Sequence, residues 1–144
     1  MIASLCGPEC GGRLFMHVLG ATLLFGGALT VATLAVASLR AGPNTLMLRR
    51  LAFGVTLAVL WPAYVVMRVG AQLVLTAEHL DKDSPGWVDA GTVISDGGVV
   101  VLLLLALTTW LARRSARAAP WAAGLAIVYV LALGVAWFAM SAKP

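Results

Sequence analysis

The sequence predicts an all-α membrane protein that crosses the bilayer four times as an up-down bundle of transmembrane helices. Three observations predict this fold: 61% of the residues are hydrophobic, only 11% are charged, and the apolar residues form four long blocks. A water-soluble domain carries about a quarter charged residues, so this chain has too little charge to cover a surface that faces water. We therefore expect residues 1–144 to form a single integral membrane domain with lipid as part of its solvent.

Each apolar block is long enough to cross a bilayer as a helix, which takes about 20 residues. The blocks cover approximately residues 14–39, 51–77, 88–111 and 121–140. Because backbone groups in lipid must find hydrogen bonds within their own segment, helix is the expected structure of each block. Gly42 and Pro43 end the first block. Pro62 lies inside the second block and is expected to kink it.

The distribution of arginine predicts the orientation of the bundle. The two links that join blocks one and two, and blocks three and four, carry Arg40, Arg49, Arg50, Arg113, Arg114 and Arg117. The opposite side has three basic residues spread over three segments. Because links rich in Lys and Arg stay in the cytoplasm, we expect both termini on the extracytoplasmic side, in a bacterial inner membrane.

The net charge of +4 follows from the same topology and needs no nucleic-acid partner. No phosphate-binding loop, zinc-type array or basic-aromatic pattern occurs in the sequence. We therefore expect membrane lipids, and not nucleic acid, around the chain.

Polar side chains within blocks two and three are the most informative feature, because ionisable groups in a span usually face the protein interior. Tyr64, Arg68 and Gln72 follow one another at spacings of four and so share a helix face. Arg68 lies about 15 Å before the end of block two, and Asp96 lies about 12 Å into block three. We expect Arg68 and Asp96 to form an ion pair within a buried polar cluster in the outer half of the bundle, with Gln72 contacting the guanidinium.

Two interpretations of this cluster stay open. The ion pair could fix only the register of two helices. Alternatively, the cluster could line a polar pocket that opens to the outer face and holds a proton path, the edge of a quinone or haem, or a small polar ligand.

The two histidines, His17 and His79, both map to the outer side of the membrane. Together they could ligate a haem iron or a metal ion. The simpler interpretation, which we favour, is that His17 hydrogen-bonds a neighbouring helix and that His79 is a solvated loop residue beside several acidic residues.

The two cysteines, Cys6 and Cys10, precede the first block with three residues between them. An extracytoplasmic location would permit a disulfide. We favour a local structural disulfide or free thiols over redox catalysis, because the chain has no C-x2-C motif and no further cysteines.

The first helix carries a family resemblance. The stretch from Met16 to Ala21 (MHVLGA), followed by Leu23 to Gly27 (LLFGG), resembles small uncharacterised bacterial four-helix membrane proteins related to the copper-resistance protein D group. It is also similar to the start of the haem-containing membrane protoporphyrinogen oxidases. That resemblance implies a haem b ligand at His17.

These observations lead to three hypotheses of function. The leading one is a non-catalytic accessory or structural subunit that packs against other membrane subunits or self-associates, since small residues in the helices permit close contact. The second is a redox membrane protein that binds haem or quinone through His17. The third is a small proton-coupled transporter in which Asp96 exchanges protons beside Arg68.

Overall fold

The computed structural model describes residues 10–40, 42–77 and 86–141, and every regular element in these ranges is helical. The elements are α1 (Cys10–Ala37), α2 (Thr45–Val55), a π-helical turn (Thr56–Leu60), α3 (Trp61–Ala77), α4 (Gly86–Arg114), a 3-10 turn (Ala116–Ala118) and α5 (Ala119–Ser141).

Four stretches of helix are long and apolar enough to cross a membrane: Gly11–Ala37, Thr45–Thr76, Ser95–Arg114 and Ala116–Phe138. The second of these spans comprises α2, the π-helical turn and α3 without interruption. The predicted all-α fold, with four helices long and apolar enough to cross a membrane, is therefore confirmed. The side of the membrane that each terminus faces stays a prediction.

Consecutive spans run in opposite directions. Phe25, near the middle of α1, meets Trp137 near the end of α5 in an edge-to-face contact with ring centroids 6.1 Å apart. At the other end of the bundle, Arg49 of α2 reaches the carbonyl oxygens of Ser38, just after α1, and of Ala112, near the end of α4. We call this end, where the six link arginines lie, the arginine-rich end.

The interior of the bundle is built from small and branched apolar side chains. Fully buried members include Leu24, Ala28, Val31, Leu60, Leu102, Leu105 and Ala126. Large apolar side chains also cover the outside, and Leu103, Val128 and Leu131 are among those more than half exposed. A soluble protein rarely exposes so many large apolar groups together, whereas a lipid-facing surface requires them.

A π-helical turn ends two residues before Pro62, the residue at which the sequence predicts a kink. Proline has no N–H to donate, and its ring clashes with the carbonyl one turn earlier. In the structure, the backbone N–H of Trp61 bonds the carbonyl of Thr56, five residues earlier. Just before the proline, the hydrogen bonds of this helix therefore join residues five apart instead of four.

Helices α1 and α3 approach until their backbones touch. A Cβ added to Gly20 would lie 2.6 Å from Met67 Cα, and one added to Gly70 would lie 2.5 Å from the backbone nitrogen of His17. Glycine at both positions is what allows this close crossing.

The remaining packing is uneven. Helix α1 packs along α3 and α5, and α4 packs along α5 and α2, but α3 and α4 have no comparable contact within the described residues. The third span therefore touches the second mainly near the arginine-rich end. Toward the opposite end, the backbones of α3 and α4 lie farther apart within the described residues and are connected by side chains; we call this side of the bundle the open side.

Candidate functional site

The ion pair predicted from the sequence bridges this open side. Arg68 Nη2 of α3 lies 2.6 Å from Asp96 Oδ1 of α4, which confirms the predicted contact. Arg68 lies about 27 Å along its span from Arg50, and Asp96 lies about 25 Å from Arg113, at about 1.5 Å per residue. Because the hydrocarbon core is about 30 Å thick, both charges lie close to the membrane boundary farthest from the arginine-rich end.

The pair is less enclosed than the sequence analysis predicts. The Arg68 side chain is 30% exposed and the Asp96 side chain 58% exposed, so the prediction of a buried cluster is wrong for these two residues. The physical reason is the gap between α3 and α4, which leaves one edge of the carboxylate without a covering helix.

Gln72 does not join the pair as predicted. Its side chain is exposed, and no hydrogen bond connects it to Arg68 among the residues that the structure describes. Gln72 lies one turn beyond Arg68 along α3, farther from the region where α4 packs against the second span. The spacing places Gln72 on the face of Arg68, but its side chain is exposed at this height, where no described side chain covers it.

Tyr64 supplies the second link across the open side. Its side chain is buried, and its hydroxyl donates to the carbonyl oxygen of Ser95 at 3.1 Å. Ser95 immediately precedes Asp96, so this bond and the ion pair hold the same turn of α4 against α3.

A third helix reaches the same place through Tyr129 of α5. A Cβ added to Gly98 would lie 3.7 Å from both the hydroxyl oxygen and Cε2 of Tyr129, and 3.9 Å from Cε2 of Tyr64. Both tyrosine rings therefore pack against the face of α4 where Gly98 has no side chain. Larger residues at position 98 would push the rings apart.

Two buried hydroxyls at this site have no hydrogen-bond partner among the described residues: Ser95 Oγ and Tyr129 Oη. Such atoms are rare, because an unsatisfied buried polar group costs about 1–3 kcal/mol. Sequence analysis missed both residues. A signal existed for Tyr129, which is the sole hydroxyl-bearing residue in the apolar block 121–140.

His17 lies on the other side of α3, at the close crossing with α1. Its Nδ1 is 3.1 Å from the carbonyl oxygen of Met67. Because a carbonyl only accepts, Nδ1 is the donor in this bond, and in a neutral ring Nε2 is then the nitrogen with a lone pair. This is the helix-to-helix hydrogen bond that the simpler sequence interpretation expects.

The other candidate ligands cannot be placed. His79 and Cys6 lie outside the described residues, and so does the side chain of Cys10. Within the part of the chain that the structure describes, no three or more His, Cys, Asp or Glu side chains gather into a group able to hold a metal ion.

The site thus combines a partly exposed ion pair with two buried hydroxyls that have unused hydrogen-bonding capacity. It can hold a polar group by charge-assisted and neutral hydrogen bonds. Comparison with known proteins identifies no matching family model, no matching characterised protein and no matching solved structure.

Proposed function

We propose that this chain is a non-catalytic accessory subunit of a larger membrane assembly and that it docks through the open side between α3 and α4. The docking face consists of Arg68 and Asp96, together with the exposed apolar residues around them. The single observation that carries this proposal is the position of the ion pair on an open side of the bundle.

Charged groups that face lipid are costly, and in membrane proteins they are usually directed toward other protein groups or toward water. Asp96 is more than half exposed and lies about 25 Å along α4 from Arg113, at about 1.5 Å per residue, near the membrane boundary opposite the arginine-rich end. A partner helix or loop that carries polar side chains would cover the carboxylate there.

The two hydroxyls without a hydrogen-bond partner among the described residues also favour a partner subunit with polar side chains. Ser95 Oγ and Tyr129 Oη are buried within the bundle beside the pair, and each can donate one hydrogen bond and accept others. Because both oxygens are buried, a polar side chain from a partner subunit could bond them only by entering between α3 and α4. In membranes such interhelical hydrogen bonds contribute about 0.6–2 kcal/mol each.

Site-specific photo-crosslinking in the native membrane tests this proposal. A photoreactive amino acid is placed at Val93, which lies one turn before Asp96 on α4 and is 71% exposed. The matched control is Leu131 on α5, which is 63% exposed but lies away from the ion pair. We expect a discrete protein adduct from position 93, weakened by the Asp96→Asn substitution, and only lipid adducts from position 131.

Two outcomes would overturn the proposal. Equal adducts from positions 93 and 131 would indicate random collision in the membrane. An adduct from position 93 with the mass of two copies of this chain would indicate self-association through this face instead of attachment to a larger assembly.

A second candidate function is haem or quinone binding through His17, and the direction of its hydrogen bond favours it. Histidines that ligate metals usually donate their other ring N–H to a carbonyl or carboxylate, as Nδ1 of His17 does toward Met67. An absorption spectrum of the protein purified from native membranes would then have a Soret band that His17→Ala abolishes. A spectrum without such a band would exclude haem and leave quinone to be sought by extraction.

A further inference from the structure

The arginine-rich end carries an unusual excess of positive charge. The six arginines there are Arg40, Arg49, Arg50, Arg113, Arg114 and Arg117. The described residues include only two acidic ones, Asp89 and Asp96, and both lie in the half of α4 that is farther from this end. Guanidinium groups in proteins usually pair with carboxylates, but at this end none is present among the described residues.

The structure holds three of these arginines in place without neutralising them. Arg113 lies over the ring of Phe53 at 4.7 Å, and Arg114 lies over the ring of Trp110 at 4.3 Å. An aromatic ring contacts the flat face of a guanidinium and leaves the N–H groups at its edge free to bind an anion. The side chains of Arg113 and Arg114 are exposed, so an anion can reach them.

Arg49 adds charge from inside the bundle. Its guanidinium donates to the carbonyls of Ser38 and Ala112, both at 3.4 Å, near the carboxyl ends of α1 and α4. Helix carboxyl ends carry partial negative charge, but two carbonyls do not cancel a full positive charge. The Nε atom of Arg49 is buried and has no partner among the described residues.

The surface next to these arginines is apolar. Leu107 and Leu111, on the last turns of α4, are exposed, and so are Met47 and Leu51 on α2. A ligand that fits this end therefore needs an anionic head for the guanidinium groups and hydrocarbon chains for the adjacent helix surfaces. That combination describes an anionic phospholipid, whereas a soluble anion would use only the charged part.

We propose that the arginine-rich end is a binding site for an anionic phospholipid, with Arg113 and Arg114 holding its phosphate against the ends of α2 and α4. This lipid site lies at the opposite end of the bundle from the docking face and is independent of it. Net positive charge alone would attract anionic lipids to the membrane surface without holding any one lipid molecule in place.

Native mass spectrometry of the full chain in detergent tests the proposal. The protein is titrated with phosphatidylglycerol, with phosphatidylcholine of the same acyl chains, and with glycerol phosphate as a probe of the headgroup alone. We expect a saturable first phosphatidylglycerol that binds more tightly than phosphatidylcholine. A basic residue near a membrane surface contributes about 1 kcal/mol toward anionic lipid, so each arginine removed should weaken this binding about fivefold.

The decisive variant is Arg113→Gln combined with Arg114→Gln, compared with Arg13→Gln, which removes one charge from the opposite end. If the double variant fails to fold, Phe53→Leu and Trp110→Leu remove the aromatic supports without changing the charge, and each should weaken binding about two- to fivefold. Equal affinity for the two lipids, an equal loss in Arg13→Gln, or glycerol phosphate binding as tightly as the lipid would each overturn the proposal.

Discussion

The close crossing of α1 and α3 yields a sharp prediction for Gly20→Ala. The added methyl group would lie 2.6 Å from Met67 Cα and closer still to its backbone nitrogen. Backbone atoms cannot rotate away as the end of a side chain can, so the two helices must separate. Overpacking of this kind costs about 1–3 kcal/mol, and loss of the His17–Met67 hydrogen bond adds about 1 kcal/mol. We expect a total destabilisation of about 3 kcal/mol.

The same helix offers a matched control in Gly26→Ala. A Cβ at position 26 would meet no atom within 4 Å, so its effect should stay within about 0.5 kcal/mol. Both variants are measured by unfolding in mixed micelles of increasing dodecyl sulfate content, with helix content as the signal. Gly70→Ala should resemble Gly20→Ala, because its Cβ would lie 2.5 Å from the backbone nitrogen of His17.

The combination of the two variants tests the mechanism further. Once one methyl group has separated the helices, the second causes a smaller steric clash. The double variant should therefore lose less free energy of unfolding than the sum of the losses in the two single variants. The reasoning would be refuted if Gly20→Ala were as stable as Gly26→Ala, since the backbones could not then be in contact at this crossing.

Two further predictions concern the polar site. A double-mutant cycle with Arg68→Gln and Asp96→Asn should give a coupling of about 0.5–3 kcal/mol in the same unfolding assay, and additive single effects would show that the two side chains do not interact in the membrane. Tyr129→Phe removes a buried hydroxyl that has no partner among the described residues, so the stability of the isolated protein should be unchanged or higher by about 1 kcal/mol. Tyr64→Phe is its matched opposite: it loses the bond to the Ser95 carbonyl and should cost about 1 kcal/mol. Equal losses in the two phenylalanine variants would contradict the assigned hydrogen bonds.

Much of the fold follows from the sequence because hydropathy is a local property of the chain. A run of apolar residues must be helical in lipid whatever surrounds it, which is why the four spans could be located. The helical rise also predicts depth, and so Arg68 and Asp96 could be matched as partners before any packing was known. The second span nevertheless begins at Thr45, six residues before the apolar block, because the helix continues through Arg49 and Arg50 at the arginine-rich end.

The surroundings of the polar site could not be predicted in the same way. Helical spacing places Gln72 on the face of Arg68, but only the divergence of α3 and α4 leaves that face uncovered. Tyr129 is 65 residues away from Tyr64 in the sequence, and their convergence on Gly98 depends on how α5 is rotated about its own axis. An apolar helix has no strong pattern that specifies this rotation.

The sequence by itself determined that the chain has four helices long and apolar enough to cross a membrane, and at what distance along them Arg68 and Asp96 lie, since hydropathy and helical rise depend on each segment alone. Only the tertiary structure decided that the ion pair lies on an open side, that His17 bonds the backbone of α3, and that Arg49 joins the ends of two helices. These features depend on the distance and the crossing angle between helices. Glycines such as Gly20 and Gly70 permit a close approach, but only the fold shows that each of them lies against the backbone of the other helix.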